Sequence, residues 1–185
     1  MRKKLCLCVF LLVLAVTHVA AAPLPEDAMS RLTVAYDKFE DMVTIRSSLE
    51  GYAGDGLEWI YLEACHNKQN LLYFDMKVSY ISQRSIGLQY VIFLINGARY
   101  VTPTDVEVKY GGTSYGYVGE SISYSVPLPE VLEIVKAIYD AGLDGMVEYK
   151  LVGSTASATG QFSREQLQAW HDVYDYCVAI LGKPF

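Results

Sequence analysis

Residues 74–80 of this chain of 185 residues read Phe-Asp-Met-Lys-Val-Ser-Tyr, with an apolar side chain at every second position. Successive side chains of a strand point to opposite faces, so this alternation is typical of a strand with one packed and one solvated face. The same alternation returns twice downstream, with the apolar residues Val106, Val108 and Tyr110, and then Ile122, Tyr124 and Val126. The pattern predicts a sheet that is half-buried, as antiparallel sheets commonly are.

The segment that follows residue 80 has a different character. Residues 90–95 read Tyr-Val-Ile-Phe-Leu-Ile, and a run that is apolar at every position predicts a central strand covered on both faces. Asn96-Gly97 comes directly after it and is a strong hairpin signal, because both turn residues must tolerate positive φ. We expect the return strand to begin near Arg99.

An earlier hairpin is predicted upstream of these strands. Residues 42–52 and 57–66 alternate in the same way and flank the turn-forming sequence Gly54-Asp55-Gly56. Residues 26–39 fit either a helix or an extended segment, and the sequence leaves both alternatives open.

The hydrophobic period changes from two to between three and four in the last third of the chain. Pro129 suits the first position of a helix, and Gly142 offers its C-terminal stop. A seventh strand is expected at residues 147–151. Ser163 and Gln166 then form a capping box, which marks the start of a second helix. The apolar stripe of that helix consists of Leu167, Trp170, Tyr174, Cys177 and Leu181.

The order of these elements predicts the fold class. Strands come first and helices late, which indicates an α+β fold with a mostly antiparallel sheet of about seven strands. We expect the two helices of the C-terminal third to pack on that sheet. No linker, repeat or low-complexity segment divides residues 23–185, and their number suits a single globular domain.

The first 22 residues have the three parts of a secretory signal peptide. Arg2 to Lys4 is charged, Leu5 to Val16 is apolar, and Val19 to Ala22 is built from small residues. A membrane-spanning helix needs roughly 20 apolar residues, which this segment does not provide. We therefore expect residues 1–22 to be removed, and the mature chain to be soluble, without a membrane span, in the periplasm or outside the cell.

Charge and cysteine content limit the partners and the redox chemistry. Residues 1–22 carry three of the 15 basic residues and none of the 21 acidic ones, which leaves the mature chain with a net charge of −9. An acidic chain without a basic face is a poor ligand for nucleic acid. The mature chain retains Cys65 and Cys177, which fit equally well a disulfide or two buried thiols.

One segment matches a catalytic motif. Gly112-Thr113-Ser114-Tyr115-Gly116 has the G-x-S-x-G spacing of a hydrolase nucleophile elbow, for which His171 would be the base. The elbow requires a helix directly after the serine, whereas the residues after Gly116 predict a strand. A Gly/Ser/Tyr-rich turn between two antiparallel strands is the interpretation we favour. The histidines and cysteines have no known zinc spacing, so the sequence predicts no metal site and no cofactor.

Tyrosine is unusually frequent, with 15 in the chain, and several lie near glycines. Tyrosine offers a large contact area and a hydrogen bond at little entropic cost, which suits binding surfaces. Tyr115 and Tyr117 are therefore candidates for ligand binding. The alternative is that strand tyrosines fill the core or the solvated face, and the alternation favours this for Tyr110 and Tyr124.

Four short motifs of the chain resemble a family of exported bacterial domains to which no activity is assigned. They are Tyr36–Asp41, the strand pair within residues 71–100, Glu120 leading into residues 122–129, and Phe162–Leu167. The resemblance implies an exported domain and no catalytic residues. Cys65 and Cys177 are not part of the family pattern.

These observations lead to one expected function and two alternatives. We expect a non-enzymatic domain that binds a protein or a small ligand, or that is an accessory of the cell envelope. The first alternative is a small secreted hydrolase that uses Ser114. The second is a structural subunit that assembles through the edge of its sheet.

Overall fold

The structure is a computed structural model, and it describes residues 26–49, 57–67, 72–112, 116–126 and 128–181. The signal peptide predicted at residues 1–22 and the turn predicted at Gly54-Asp55-Gly56 lie outside the described residues.

The described part of the chain contains ten strands and three helices. In chain order they are α1 (Glu26–Ser30), β1 (Leu32–Asp37), β2 (Met42–Ser47), β3 (Leu57–Asn67), β4 (Leu72–Ser82), β5 (Leu88–Ile95), β6 (Ala98–Val101), β7 (Lys109–Gly112), β8 (Val118–Ser125), α2 (Pro129–Ala141), β9 (Val147–Gly153), β10 (Ser157–Gln161) and α3 (Arg164–Leu181). All strand pairs are antiparallel, so the predicted α+β class with a mostly antiparallel sheet is confirmed.

The strands form two sheets, and the prediction of one sheet of about seven strands is wrong. A six-stranded sheet has the order β1-β2-β3-β4-β8-β7, and a four-stranded sheet has the order β10-β9-β5-β6. Strand β4 pairs with β8, whereas β5 turns away to begin the second sheet. Alternation in a sequence indicates which side chains are buried but not which strands pair, and this explains the error.

The six-stranded sheet has one packed and one solvated face, as the opening segment predicts. Phe74, Met76 and Val78 are at most 1% exposed, and we call the face that they share the inner face. Asp75 and Lys77 are half-buried on the opposite, outer face. Strand β8 repeats this arrangement, because its buried Ile122 and Tyr124 pair with Val78 and Met76 of β4.

Strand β5 is an inner strand of the four-stranded sheet but is not covered on both faces. Phe93 is fully buried on its packed face, whereas Leu94 is 39% exposed on the other, so the expectation of two covered faces is wrong. The hairpin prediction is confirmed: β5 and β6 are joined by Asn96 (φ 47°) and Gly97 (φ 85°). Asn96 also accepts a hydrogen bond from the backbone of Met146, 3.0 Å away.

The strand expected around Val106 and Val108 is not formed. Both residues are half-buried in an irregular segment, and β7 begins only at Lys109, which is the partner of Ser121 on β8. Pro103 lies just upstream and lacks the backbone N–H that a strand ladder needs.

The helix ends follow the local sequence. Helix α2 has Pro129 in its first turn, and Gly142, which caps its C-terminus, has φ of 71°. At the start of α3, Ser163 N–H donates to Gln166 Oε1 at 2.7 Å, and Gln166 N–H donates to Ser163 Oγ at 3.2 Å. This reciprocal pair is the capping box expected from the sequence. The short helix α1 and strand β1 together account for most of the segment whose structure the sequence left open.

One hydrophobic core is shared by both sheets and the late helices. Helix α3 packs on β2 and β3, and α2 packs on β5, β6 and α3. Two buried hydrogen bonds link the sheets: Thr102 donates to the Tyr124 hydroxyl at 2.9 Å, and Tyr149 donates to Glu58 at 2.7 Å. Burial raises the pKa of Tyr124 to about 12 and also raises the pKa of Glu58.

Candidate functional site

A row of four residues crosses the outer face of the six-stranded sheet. Trp59 on β3 pairs with Ser79 on β4, Ser79 pairs with Ser121 on β8, and Ser121 pairs with Lys109 on β7. Directly opposed residues of antiparallel strands project from the same face. The register therefore places an aromatic ring, two hydroxyls and an ammonium group in line across four strands.

Small side chains next to this row create a groove. In the neighbouring row, Ile81 pairs with Gly119, and Gly119 pairs with Gly111, so two of three positions have no side chain. The groove encloses about 310 Å³. Small-ligand sites in proteins commonly measure about 300–1,000 Å³, so this groove is at the lower end of that range. Its lining consists of Trp59, Ser79, Ile81, Lys109, Tyr110, Gly111, Gly119, Glu120 and Ser121.

Trp59 and Tyr110 are more exposed to solvent than Tyr124, which lies in the core. Trp59 is half-buried and Tyr110 is 65% exposed, whereas Tyr124, further along β8, is only 1% exposed. The structure thus separates the two strand tyrosines that the sequence treated alike. Tyr124 belongs to the core, whereas Tyr110 lies directly opposite Glu120 on the edge strand β7, so its exposed side chain projects from the inner face and not into the groove.

A compact charged cluster lies beside the groove on the same outer face. Lys77 Nζ is 3.1 Å from Asp75 and 3.4 Å from Glu63, and it donates to Ser123 at 2.8 Å. Burial opposes the charge of Lys77, but the hydrogen bond and charge of Asp75, with the charge of Glu63, leave its pKa raised. Arg46 pairs with Glu63 as well. The charges of this cluster are therefore largely satisfied within it.

Lys109 is in a different situation. Among the residues that the structure describes, Lys109 forms no ion pair, and it lies on an exposed edge strand. The groove therefore contains an ammonium group whose charge is not neutralised by a described neighbour.

The one carboxylate of the lining, Glu120, is already engaged elsewhere. It is 1% exposed and accepts hydrogen bonds from Ser85 Oγ, from Gly87 N–H at 3.1 Å and from Leu88 N–H at 2.8 Å. These bonds fasten the connection between β4 and β5, where the chain passes from one sheet to the other. Glu120 therefore has a structural role and does not offset the charge of Lys109.

The residues of the G-x-S-x-G motif do not come together as a described catalytic group. Ser114 and Tyr115 lie outside the described residues, and the segment after Gly116 enters strand β8 and not a helix. His171 lies on α3, on the inner side of the sheet, with its ring stacked on Tyr139 at 4.4 Å between centroids. Burial lowers the pKa of His171. The strand–turn–helix geometry of a nucleophile elbow is absent from the described chain around this motif.

The two tyrosines predicted to bind a ligand, Tyr115 and Tyr117, are not among the described residues that line the groove. Tyr117 is half-buried just before β8 and is not part of the groove lining, while Tyr115 is not described. Tyr110, which the sequence assigned to a strand, borders the groove, but its position opposite Glu120 directs its side chain to the inner face. Trp59 and Lys109 were not singled out from the sequence. Only the pairing of β3 with β4 and of β7 with β8 puts them into one row.

Cys65 and Cys177, the two cysteines among the described residues, are free thiols on opposite sides of the six-stranded sheet. Cys65 is directly opposite Thr44 on the outer face, with Sγ 3.6 Å from Thr44 Oγ1. Its neighbour His66 points inward and lies 3.1 Å from the hydroxyl of Tyr176 on α3. Cys177 is fully buried on the inner side. Of the two alternatives left by the sequence, the structure has the pair of thiols.

No described helix has the length and apolar character that crossing a bilayer requires. No group of three or more His, Cys, Asp or Glu side chains in the described ranges is arranged to hold a metal ion.

Comparisons with protein-family models, with curated proteins and with solved structures give no match for this chain.

Proposed function

We propose that this chain is an exported α+β domain that acts by binding a small ligand in the groove on the outer face of its six-stranded sheet. The class is that of a binding protein whose rigid sheet presents the site directly. Strands hold side chains more firmly than loops do, which reduces the entropy lost on binding. Export follows from the signal-peptide pattern of residues 1–22.

The observation that carries this proposal is the cross-strand row from Trp59 to Lys109. A merely solvated sheet face needs polar side chains. It does not need a concave floor of serine and glycine between an aromatic residue and a lysine that forms no ion pair with any described residue. Convergence of a few polar groups on a concave, partly apolar surface is the usual form of a ligand site.

The proposal is tested by filling the groove. A Cβ atom added at Gly111 has no atom within 4 Å and the backbone there is not left-handed, so Gly111→Leu should fold normally and fill the groove. We expect fragments from a small-molecule library to shift the backbone amide resonances of Gly111, Gly119 and Ser121 in the original protein. The same fragments should cause no such shifts in the variant.

A matched control places the same side chain elsewhere on the same face. Ser125 is exposed on the outer face of β8 outside the groove, so Ser125→Leu should leave fragment binding unchanged. Fragment-induced shifts that cluster away from the groove, or that persist in Gly111→Leu, would refute the proposed site. Thermal melts of both variants would verify that they are folded.

A further inference from the structure

We infer that the groove binds an acidic saccharide that lies across the strands, with a sugar face on Trp59 and its carboxylate beside Lys109. This inference rests on the proposed function and adds the chemical class of the ligand. The order of chemical groups along the row, the composition of the floor and the charge of the lining support it independently.

The row fixes the length and polarity of the ligand. Neighbouring strands lie about 4.7–4.9 Å apart, so three spacings separate the backbones of Trp59 and Lys109 by about 14 Å. That distance suits a di- or trisaccharide lying perpendicular to the strands. A ligand of this length meets the aromatic ring at one end and the ammonium group at the other.

The floor suits hydroxyl-rich ligands. Ser79 and Ser121 each supply a hydroxyl that can donate one hydrogen bond and accept two, which matches the mixed donors and acceptors of sugar hydroxyls. Gly111 and Gly119 allow a ring to approach the backbone closely. The C–H face of a pyranose is apolar and flat, so it packs well on the indole ring of Trp59.

The charge of the groove favours an anion over a neutral sugar. Lys109 is the one cationic side chain of the lining, and Glu120 is buried in hydrogen bonds to Ser85 and to the backbone of residues 87 and 88. Lys77, in the row on the other side, already faces Asp75 and Glu63. A carboxylate at the β7 end of the groove would therefore gain an ion pair with Lys109 without facing an unpaired carboxylate of the lining.

The test compares two probes that share one sugar skeleton and differ at the carboxyl groups, which are charged in one probe and methylated and neutral in the other. Trigalacturonate and its methyl ester have the same sugar skeleton, so isothermal titration of the folded protein with each isolates the contribution of the carboxylates. We expect trigalacturonate to bind about 10-fold more tightly, as one charge-assisted hydrogen bond would give. Raising the salt concentration from about 50 mM to about 500 mM should reduce the difference in affinity between the two probes, because exposed charges are screened.

Two variants separate the roles of the ends of the row. Lys109→Gln should remove the preference for trigalacturonate and leave binding of the ester unchanged. Trp59→Leu should reduce the affinity for both probes by a similar factor. Lys150→Gln is the control, because Lys150 is an exposed lysine on β9 of the other sheet. Trp59 also packs against its neighbours, so Trp59→Leu can lose binding by losing stability. Gly111→Leu should prevent binding of both probes in a protein that remains folded.

Three other outcomes would each contradict a different claim: the acidic character of the ligand, its saccharide class, or the groove as a binding site. Equal binding of the two probes, both blocked by Gly111→Leu, would overturn the acidic class and leave the groove as a saccharide site. Fragments that bind in the groove while neither probe does would overturn the saccharide class. Absence of any ligand from the groove would overturn the proposed function itself.

Discussion

Arg31 and Asp172 form a bidentate ion pair between the turn after α1 and the middle of α3. Arg31 Nε donates to Asp172 Oδ2 at 2.8 Å, and Nη2 donates to Oδ1 at 2.7 Å. The Asp172 side chain is only 2% exposed. The pair thus fastens the first described elements of the chain to its last helix, which covers the inner face of β2 and β3.

Removing the guanidinium should destabilise the protein strongly. Arg31→Ala leaves the buried carboxylate of Asp172 with Gln168 as its remaining side-chain donor, 3.0 Å away. We expect the free energy of unfolding to fall by about 3 kcal/mol, as when one partner of a buried pair is removed. Urea denaturation would measure it. Asp27→Ala removes only the exposed partner of Arg31 and should change stability little, so equal losses in both variants would contradict the prediction.

The Glu120 carboxylate should be essential to the connection between the sheets. Glu120→Ala leaves the buried N–H group of Leu88 without its side-chain acceptor and leaves Gly87 N–H with Ser85 Oγ, which should cost about 2–3 kcal/mol. Hydrogen exchange at the Leu88 amide should accelerate more than exchange in the β9–β10 hairpin. Glu107→Ala removes an exposed carboxylate from the same part of the chain and serves as the control. Unchanged protection of Leu88 in Glu120→Ala would refute the role assigned to this carboxylate.

His171 should make stability fall at mildly acidic pH. Burial lowers its pKa in the folded state, against the opposing effect of Asp175, Asp172 and Asp140. The unfolded chain therefore binds a proton more readily than the folded one. Stability from the neutral ring is complete above the unfolded pKa of about 6.5 and is lost as the pH falls through the lower folded value.

The substitution His171→Phe keeps a ring against Tyr139 and removes the titration. Urea midpoints at about pH 5, 6 and 7 should vary less in the variant than in the original protein. If both proteins show the same pH dependence over this range, His171 is not the responsible group.

The two thiols should react in a defined order. Burial raises the pKa of Cys65 and, more strongly, that of Cys177, so both should alkylate slowly in the folded protein. Cys65 is half-buried and Cys177 has no exposed surface, so Cys65 should react first. If residues 23–185 are alkylated after unfolding without reductant, mass spectrometry should show that both Cys65 and Cys177 are modified. A mass with neither cysteine alkylated would reveal a disulfide and contradict the placement of the thiols on opposite faces.

The sequence predicted those features that depend on nearby residues. The alternation from Phe74 to Tyr80 identified a half-buried strand, and the Asn96-Gly97 dipeptide identified its hairpin because positive φ is a local requirement. The capping box of Ser163 and Gln166 is local in the same sense.

Local sequence patterns could not predict which strands pair when those strands are far apart in the chain. Nothing in the alternation of residues 74–80 distinguishes β8 from β5 as the partner of β4, so the split into two sheets was missed. The groove was missed for the same reason. Trp59 and Lys109 become parts of one site only through the registers of three successive strand pairs, while Tyr117 is nearer to the glycines in sequence and still lies outside it.

The position of α3 has a consequence for how the chain matures. Helix α3 is the last described element to leave the ribosome, yet it covers β2 and β3, which are among the first. Until it arrives, the inner-face residues Ile45 and Leu62, buried in the finished protein, remain in contact with water. Because α3 packs last, stable folding is delayed during synthesis. The chain therefore stays unfolded for longer, and an unfolded chain can pass through a translocation channel.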